Sequence, residues 1–189
     1  METSHLQDLK PIRSLTWEET FAFWRESEGS SPEWLAVAKE RGYDTWEEWR
    51  LAYAPHFRLT ERAWTLYRVM DPLRTVPEHF HGAPFQGWIE RTYGDAGPMP
   101  TFAVIAANLF AKGNGRASAI KGTFPRRTTV LGVLAEKGVV IFEGMHRCSA
   151  IAKLAADGAT LETDFSIALG SYLPGTIEVL EKVYKRSRG

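Results

Sequence analysis

The chain has 189 residues, of which 44% are hydrophobic and 24% charged, and its 23 basic and 23 acidic side chains balance to a formal charge of zero. That length supports one sizeable core, or one domain with an appended subdomain. No apolar run reaches the ~18–20 residues of a membrane span. The opening "METSHLQDLKPIRS" has no apolar stretch of the secretory kind, and Cys148, the single cysteine, cannot form an internal disulfide. The expectation is a cytoplasmic protein with no membrane partner, and with no structural metal site, since neither C-x-x-C nor H-x-x-x-H spacing occurs.

The first seventy residues read as helical. "TWEE" at Thr16 and again at Thr45 is a capping-box pattern, with Thr as N-cap and Glu three residues on. Ser31-Pro32 marks another helix start and Gly42 its end. Thr60 suits the start of a fourth helix through "ERAWTLYRVM". Six of the seven tryptophans lie between Trp17 and Trp64, and their spacing suggests a small aromatic core, with ligand stacking the less favoured use. Composition changes near Asp71-Pro72, so the expected division is a Trp-rich helical subdomain over 1–70 and an α/β domain over 71–189.

In the second part, "PLRTVPEHFHGAPFQGWIERTYGDAGPMP" reads as loops around one short strand and one short helix. "TFAVIAANLFAKG" fits either a strand or a buried helix. "GNGRASAIKGTFPRR" reads as a glycine-rich basic loop. "TTVLGVL" and "GVVIFE" form a hairpin across "AEK". A helix over 145–156 follows, then a strand at "LETDFSIAL" and a closing helix at "PGTIEVLEKVYKRS" with a basic last turn.

Charge is unevenly spread. Residues 1–70 hold twelve acids and nine bases, and residues 96–135 hold no acid, although Lys112, Arg116, Lys121, Arg126 and Arg127 fall there. A stretch of one sign can attract an anion, or simply face solvent.

The sharpest feature is "GVVIFEGMHRCSAIAKLAADG", residues 138–158, where an apolar strand hands over to a helix. The first turn of a helix carries backbone N–H groups without intrahelical partners and the positive end of the dipole. Gly144 would let an anion approach that backbone, Arg147 offers a planar fork for phosphate oxygens, His146 a titratable donor and Ser149 a hydroxyl. Equally, Arg147 can pair with Glu143 or Asp157, and His146 can be a satisfied core histidine. Cys148, near the helix start, is either a thiol of lowered pKa or a small buried apolar residue.

These residues resemble the core signature of the ParB/sulfiredoxin superfamily, a strand running into a G-x-[HR]-R turn and an alanine-rich helix. Gly144, His146, Arg147 and Ala150 match it. The likeness covers about thirty residues and extends loosely over 71–169. It implies an α/β (α+β) fold, a small mixed sheet with packed helices, preceded here by the helical subdomain. It also implies that the turn cradles nucleotide phosphates, through Gly144, His146 and Arg147 with Met145 as backbone neighbour, the ligand being ATP or ADP, or CTP. Met145 stands where sulfiredoxins carry their catalytic cysteine, which disfavours that chemistry. About twenty residues follow the last strand, too few for the DNA-binding module of partition proteins. The acidic N-terminal helices likewise disfavour nucleic acid as a partner.

The expected activity is therefore nucleotide-dependent: phosphoryl transfer to a small hydroxyl-bearing substrate, or nucleotide hydrolysis, with Mg²⁺. The basic stretch from Lys112 to Arg127, with Lys121, Arg126 and Arg127 the foremost candidates, would complete the pocket, and Glu143, Glu78 or His79 would act as base. The alternatives are a non-catalytic ParB-like binding module, or an interaction protein that keeps only the shape of the turn. His79 and His81, two apart, would face one side of a strand, but two ligands alone make a poor metal site.

Overall fold

A computed structural model describes residues 7–188. Its frame is a six-stranded mixed sheet of order β1-β2-β6-β4-β5-β3, with helices against both faces. The strands are β1 (Leu9–Leu15), β2 (Trp64–Val69), β3 (Phe80–Gly82), β4 (Arg127–Ala135), β5 (Gly138–Glu143) and β6 (Asp164–Gly170). β1, β2 and β6 pair antiparallel in turn, β4 lies parallel to β6 and antiparallel to β5, and β3 runs parallel to β5.

One face carries α5 (Pro72–His79), α7 (Phe102–Ala111), α8 (Gly115–Gly122) and α9 (Met145–Ala156). Its core alternates along the strands in the period of two that a pleat imposes: Val139 and Ile141 on β5, Phe165, Ile167 and Leu169 on β6. The intervening Val140, Phe142 and Ala168 point to the other face. There they meet α1 (Trp17–Trp24), α2 (Pro32–Glu40), α3 (Trp46–Leu51), α4 (Ala54–Phe57) and α10 (Thr176–Arg188). Because both faces are covered, β5 is buried at every residue and reads as an apolar run up to Phe142, with Glu143 at its end. A short α6 (Gln86–Trp88) continues into a π-helical turn, Ile89–Tyr93, after β3.

Both "TWEE" capping boxes are present, at α1 and α3. The tryptophans form a packed aromatic core: Trp24 meets Trp46 edge-on at 6.0 Å and lies 5.1 Å from Phe142 of the sheet. A buried ion pair sits inside it. Glu28 accepts hydrogen bonds from the Trp24 and Trp46 indoles and from Arg50, whose guanidinium lies 3.8 Å over Trp49. The acid and base are thus satisfied where an unpaired charge would be prohibitive.

Several elements differ from expectation. "WTLYRV" is strand β2, not helix, and Thr60 stands in a 3₁₀ turn before it. Its Thr, Tyr and Val suit a pleat, and pairing with both β1 and β6 overrides the local helical reading. "LKPIRSL" is strand β1, which the sequence did not announce because all of its middle residues are exposed. The helices expected ahead of the sheet therefore lie between two of its strands, and strand pairing crosses the division drawn at residue 70. The glycine-rich basic segment contains α8, capped by the Asn114 side chain on the Ala117 N–H at 2.9 Å. "TFAVIAANLFA" is helix α7. His79 ends α5 while His81 lies in β3, so the two do not share a strand; His81 Nδ1 lies 3.0 Å from the Met99 carbonyl.

No helix among the described residues is long and apolar enough to cross a membrane.

Candidate functional site

The handover from β5 to α9 falls where the sequence places it. Gly144 is the N-cap, with φ +94°, and a Cβ there would come within 2.3 Å of Val130 Cγ1. Glycine is the residue that fits both the left-handed conformation and the space. The first α9 N–H to close onto the helix start is that of Cys148, which donates to the Gly144 carbonyl at 2.9 Å. Among the described residues no side-chain cap closes this helix and no acid stands in its first turn, although the Glu143 carboxylate lies just before the N-cap.

Arg147 is held by the fold. β4 extends beyond the end of β5, since Glu143 pairs with Leu131 and β4 continues back to Arg127. Arg147 fills the place that β5 vacates: its guanidinium donates to the Thr128 hydroxyl, to the Thr129 carbonyl at 3.0 Å and to Glu143 Oε1. Its side chain is 16% exposed and that of Glu143 4%. Ser27, in the π-helical turn Arg25–Gly29 of the Trp-rich region, donates to the same carboxylate oxygen at 3.0 Å. Glu143 Oε2 is buried without a hydrogen-bond partner among the described residues. Burial pushes the Glu143 carboxyl above its usual range and nearby Glu28 adds to the rise, while Arg147 and the Ser27 hydroxyl oppose it.

His146 is half-buried, with its ring 4.7 Å from that of Trp88. Burial, together with the charges of Arg116, Arg147 and Arg91, pushes its pKa down to about 4. Neutral imidazole is thus the form at pH 7. An unfolded histidine titrates near 6.5. Between those two values the unfolded chain binds more protons, so this residue makes stability fall as pH drops from about 6.5 towards 4. His146→Gln should show a shallower decline than the wild type in urea midpoints measured across that window. Equal slopes would show that His146 is not held neutral.

The other sequence candidates are dispersed. Met145 is buried in the core, and Ser149 is fully buried with its hydroxyl donating to the Met145 carbonyl at 2.8 Å, so neither side chain presents to a ligand. Burial raises the Cys148 thiol far above its ordinary value, against any activation by the helix start, and leaves it a small core residue. Lys121 pairs with Asp157 at the other end of α9, roughly 18 Å from the turn at 1.5 Å per residue. Arg126 is exposed, and Arg127, 86% exposed, lies 3.6 Å from Asp164. Glu78 and His79 lie beside the start of β5, because β3 follows them in register with Val139. That is roughly 17 Å of strand away from Glu143. Of the three candidate bases, only Glu143 adjoins the turn.

Two residues that the sequence reading did not select bear on His146, Trp88 through ring contact and Arg91 through its charge, together with Arg116 of the acid-free stretch. Trp88, whose ring meets His146, and Arg91 lie in the segment after β3, and Arg116 lies in the first turn of α8, which packs against α9. Arg116 carried a signal, since it falls in the acid-free stretch; Arg91, beside Glu90, carried none. An open groove lies elsewhere. It holds about 770 Å³ on the Trp-rich side, lined by Arg13, Glu19, Phe23, Arg25, Glu26 and Glu47. No group of three or more His, Cys, Asp or Glu side chains that could hold a metal lies together among the described residues. Compared with protein families, with curated proteins and with solved structures, the chain finds no match in any of the three.

Proposed function

We propose that this chain binds a nucleotide through its phosphates at the start of α9, on a ParB/sulfiredoxin-like arrangement of strand, turn and helix. The observation that carries the reading is the first turn of α9 behind Gly144, where the N-cap offers no side chain and the half-buried His146 stands against Trp88. The likeness of the turn to the superfamily signature makes the ligand ATP, ADP or CTP. Mg²⁺ would travel with it, held by phosphate oxygens and water, as that ion commonly is.

The reaction such binding serves is phosphoryl transfer to a small hydroxyl-bearing compound, or hydrolysis, with Glu143 the carboxylate nearest the turn. Its raised pKa and its unpartnered oxygen favour a role in proton transfer. A second reading, a non-catalytic nucleotide-binding module, is favoured by the ion pair that holds Glu143 to Arg147.

Calorimetric titration with ATP, ADP and CTP, each with Mg²⁺, tests binding in the wild type and in His146→Gln, a substitution that leaves the Arg147 contacts in place. Micromolar binding that weakens at least about tenfold in the variant is expected, the loss of one charge-assisted contact. No binding of any of the three to the wild type removes the reading. Release of inorganic phosphate with and without candidate hydroxyl acceptors then separates enzyme from module.

A further inference from the structure

Helix α2 is thinly attached. Of its nine residues only Ala38 is fully buried, with Trp34, Leu35 and Val37 half-buried on the same stripe. Among the described residues, one hydrogen bond joins residues 30–40 to any part of the chain beyond the turns at either end: Arg116 of α8 donates to Glu33 Oε2 at 3.1 Å. Both side chains of that pair stand in solvent, 40% and 68% exposed. The segments on either side are fixed. Glu28 holds the π-helical turn before α2 inside the aromatic core, and the Thr45 capping box starts α3 after it. Between these fixed ends stand Gly29, Ser30 and Ser31 on one side and Gly42 on the other. Gly42 has φ +83°, and a Cβ there would meet nothing within 4 Å.

Trp34 is what keeps the helix down. Contacts run in the order Trp49, Arg50, Trp34, Arg116. The Arg50 guanidinium lies 3.8 Å over the Trp49 ring and 5.3 Å from the Trp34 ring, and the Arg116 guanidinium lies 5.2 Å from Trp34. The Trp34 ring gains from both cations. Its burial also has a cost, because Trp34 Nε1 has no hydrogen-bond partner among the described residues. A shut α2 leaves dry an indole N–H that an open one returns to water.

We infer that α2 is a hinged flap, turning at Gly29, Ser30 and Ser31 and at Gly42, which Trp34 and Glu33 close onto Arg50 and Arg116 and which opens while the sheet and α9 stay folded. Opening uncovers the Arg50–Glu28 pair and frees Arg116, so the flap governs whether the charged centre of the Trp-rich layer meets solvent and solutes. The flap goes beyond the phosphate reading and does not depend on it. One exposed ion pair and two cation–π contacts supply small increments, and the desolvated indole N–H opposes them. A segment with so few buried apolar contacts opens locally before the whole domain does.

Native-state hydrogen exchange on the whole chain, at several low urea concentrations, tests this. The amides of residues 35–41 should exchange at least about a hundredfold faster than those of β5 and α9, with little dependence on urea, the mark of an opening that exposes little surface. Glu33→Gln, a surface change, should speed the α2 amides about two- to fivefold and leave β5 and α9 as they were. Trp34→Ala should speed them about tenfold or more. Lys10→Gln, on the exposed β1 edge, is the control and should change neither. Exchange of α2 at the rate and urea dependence of β5 and α9 means that the helix opens only with the whole fold, and overturns the inference. Unaltered α2 exchange in Trp34→Ala overturns the closing role of Trp34, and unaltered exchange in Glu33→Gln overturns that of Glu33.

Discussion

Replacing Arg147 by alanine should cost about 3–5 kcal/mol of folding stability, the range for removing one partner from a buried ion pair. The substitution strips the cation from Glu143, whose side chain is 4% exposed and whose second oxygen already lacks a partner. It also leaves the Thr129 carbonyl on the edge that β5 has vacated without its donor. An unsatisfied buried acceptor costs its full desolvation, whereas a made hydrogen bond contributes little net, so the loss exceeds what the contacts themselves supply. Urea unfolding reads this as a lower midpoint at unchanged slope. Arg147→Lys should recover only part of the loss, because an ammonium cannot serve a hydroxyl, a carbonyl and a carboxylate in one plane. Glu143→Gln should cost less than Arg147→Ala, since an amide oxygen still accepts from Ser27 and Arg147 and no uncompensated anion remains. If Arg147→Ala unfolds within about 0.5 kcal/mol of wild type, the side chain is free of the sheet and available to a ligand.

Gly144→Ala should be comparably damaging, about 2–6 kcal/mol. Two costs combine at this position. The backbone sits at φ +94°, a region where a residue with a Cβ is strained by about 1–3 kcal/mol. The new methyl also falls 2.3 Å from Val130 Cγ1 and 2.8 Å from Val130 Cβ, in a fully packed core. Relieving such overlap costs a further ~1–3 kcal/mol. The two can be partly separated, because Val130→Ala removes the Cγ1 overlap while keeping the Cβ contact and leaving the dihedral as it was. In a double-mutant cycle Val130→Ala should reduce the penalty of Gly144→Ala by roughly half. Full additivity would mean that the Cγ1 overlap contributes nothing to the penalty.

Local signals were legible where neighbouring residues decide the outcome. Thr-x-x-Glu at Thr16 and Thr45 gives real capping boxes because both partners lie within one turn. The β4–β5 hairpin and the limits of α9 follow from short connections and from glycine at the N-cap. β1 and β2 were not legible, because what makes them strands is pairing that reaches β6 about a hundred residues along, against local residues that also suit a helix. A central position in the sheet also explains why the Trp-rich helices are docked rather than separate: Trp24 and Phe57 pack directly on Phe142 of β5.

The site divides in the same way. Gly144, His146 and Arg147 are contiguous, and a helix start gives their types a meaning in any fold. Whether Arg147 faces a ligand or the sheet depended on β4 outrunning β5, which no residue near Arg147 announces. Ser27, 116 residues from Glu143, and Arg91, on a turn placed by β3, were out of reach for the same reason. Lys121, chosen for its charge, is drawn to Asp157, since a helix of twelve residues separates the two ends that sequence proximity had merged.

The most direct measurement is a titration of uniformly ¹⁵N-labelled protein with ADP and Mg²⁺, following the backbone amides. If phosphate is held at the start of α9, the largest shifts fall on the N–H groups of Met145, His146 and Arg147. Shifts confined to the groove around Arg13, Arg25 and Glu47, or none at ligand concentrations that saturate ordinary nucleotide sites, would contradict it.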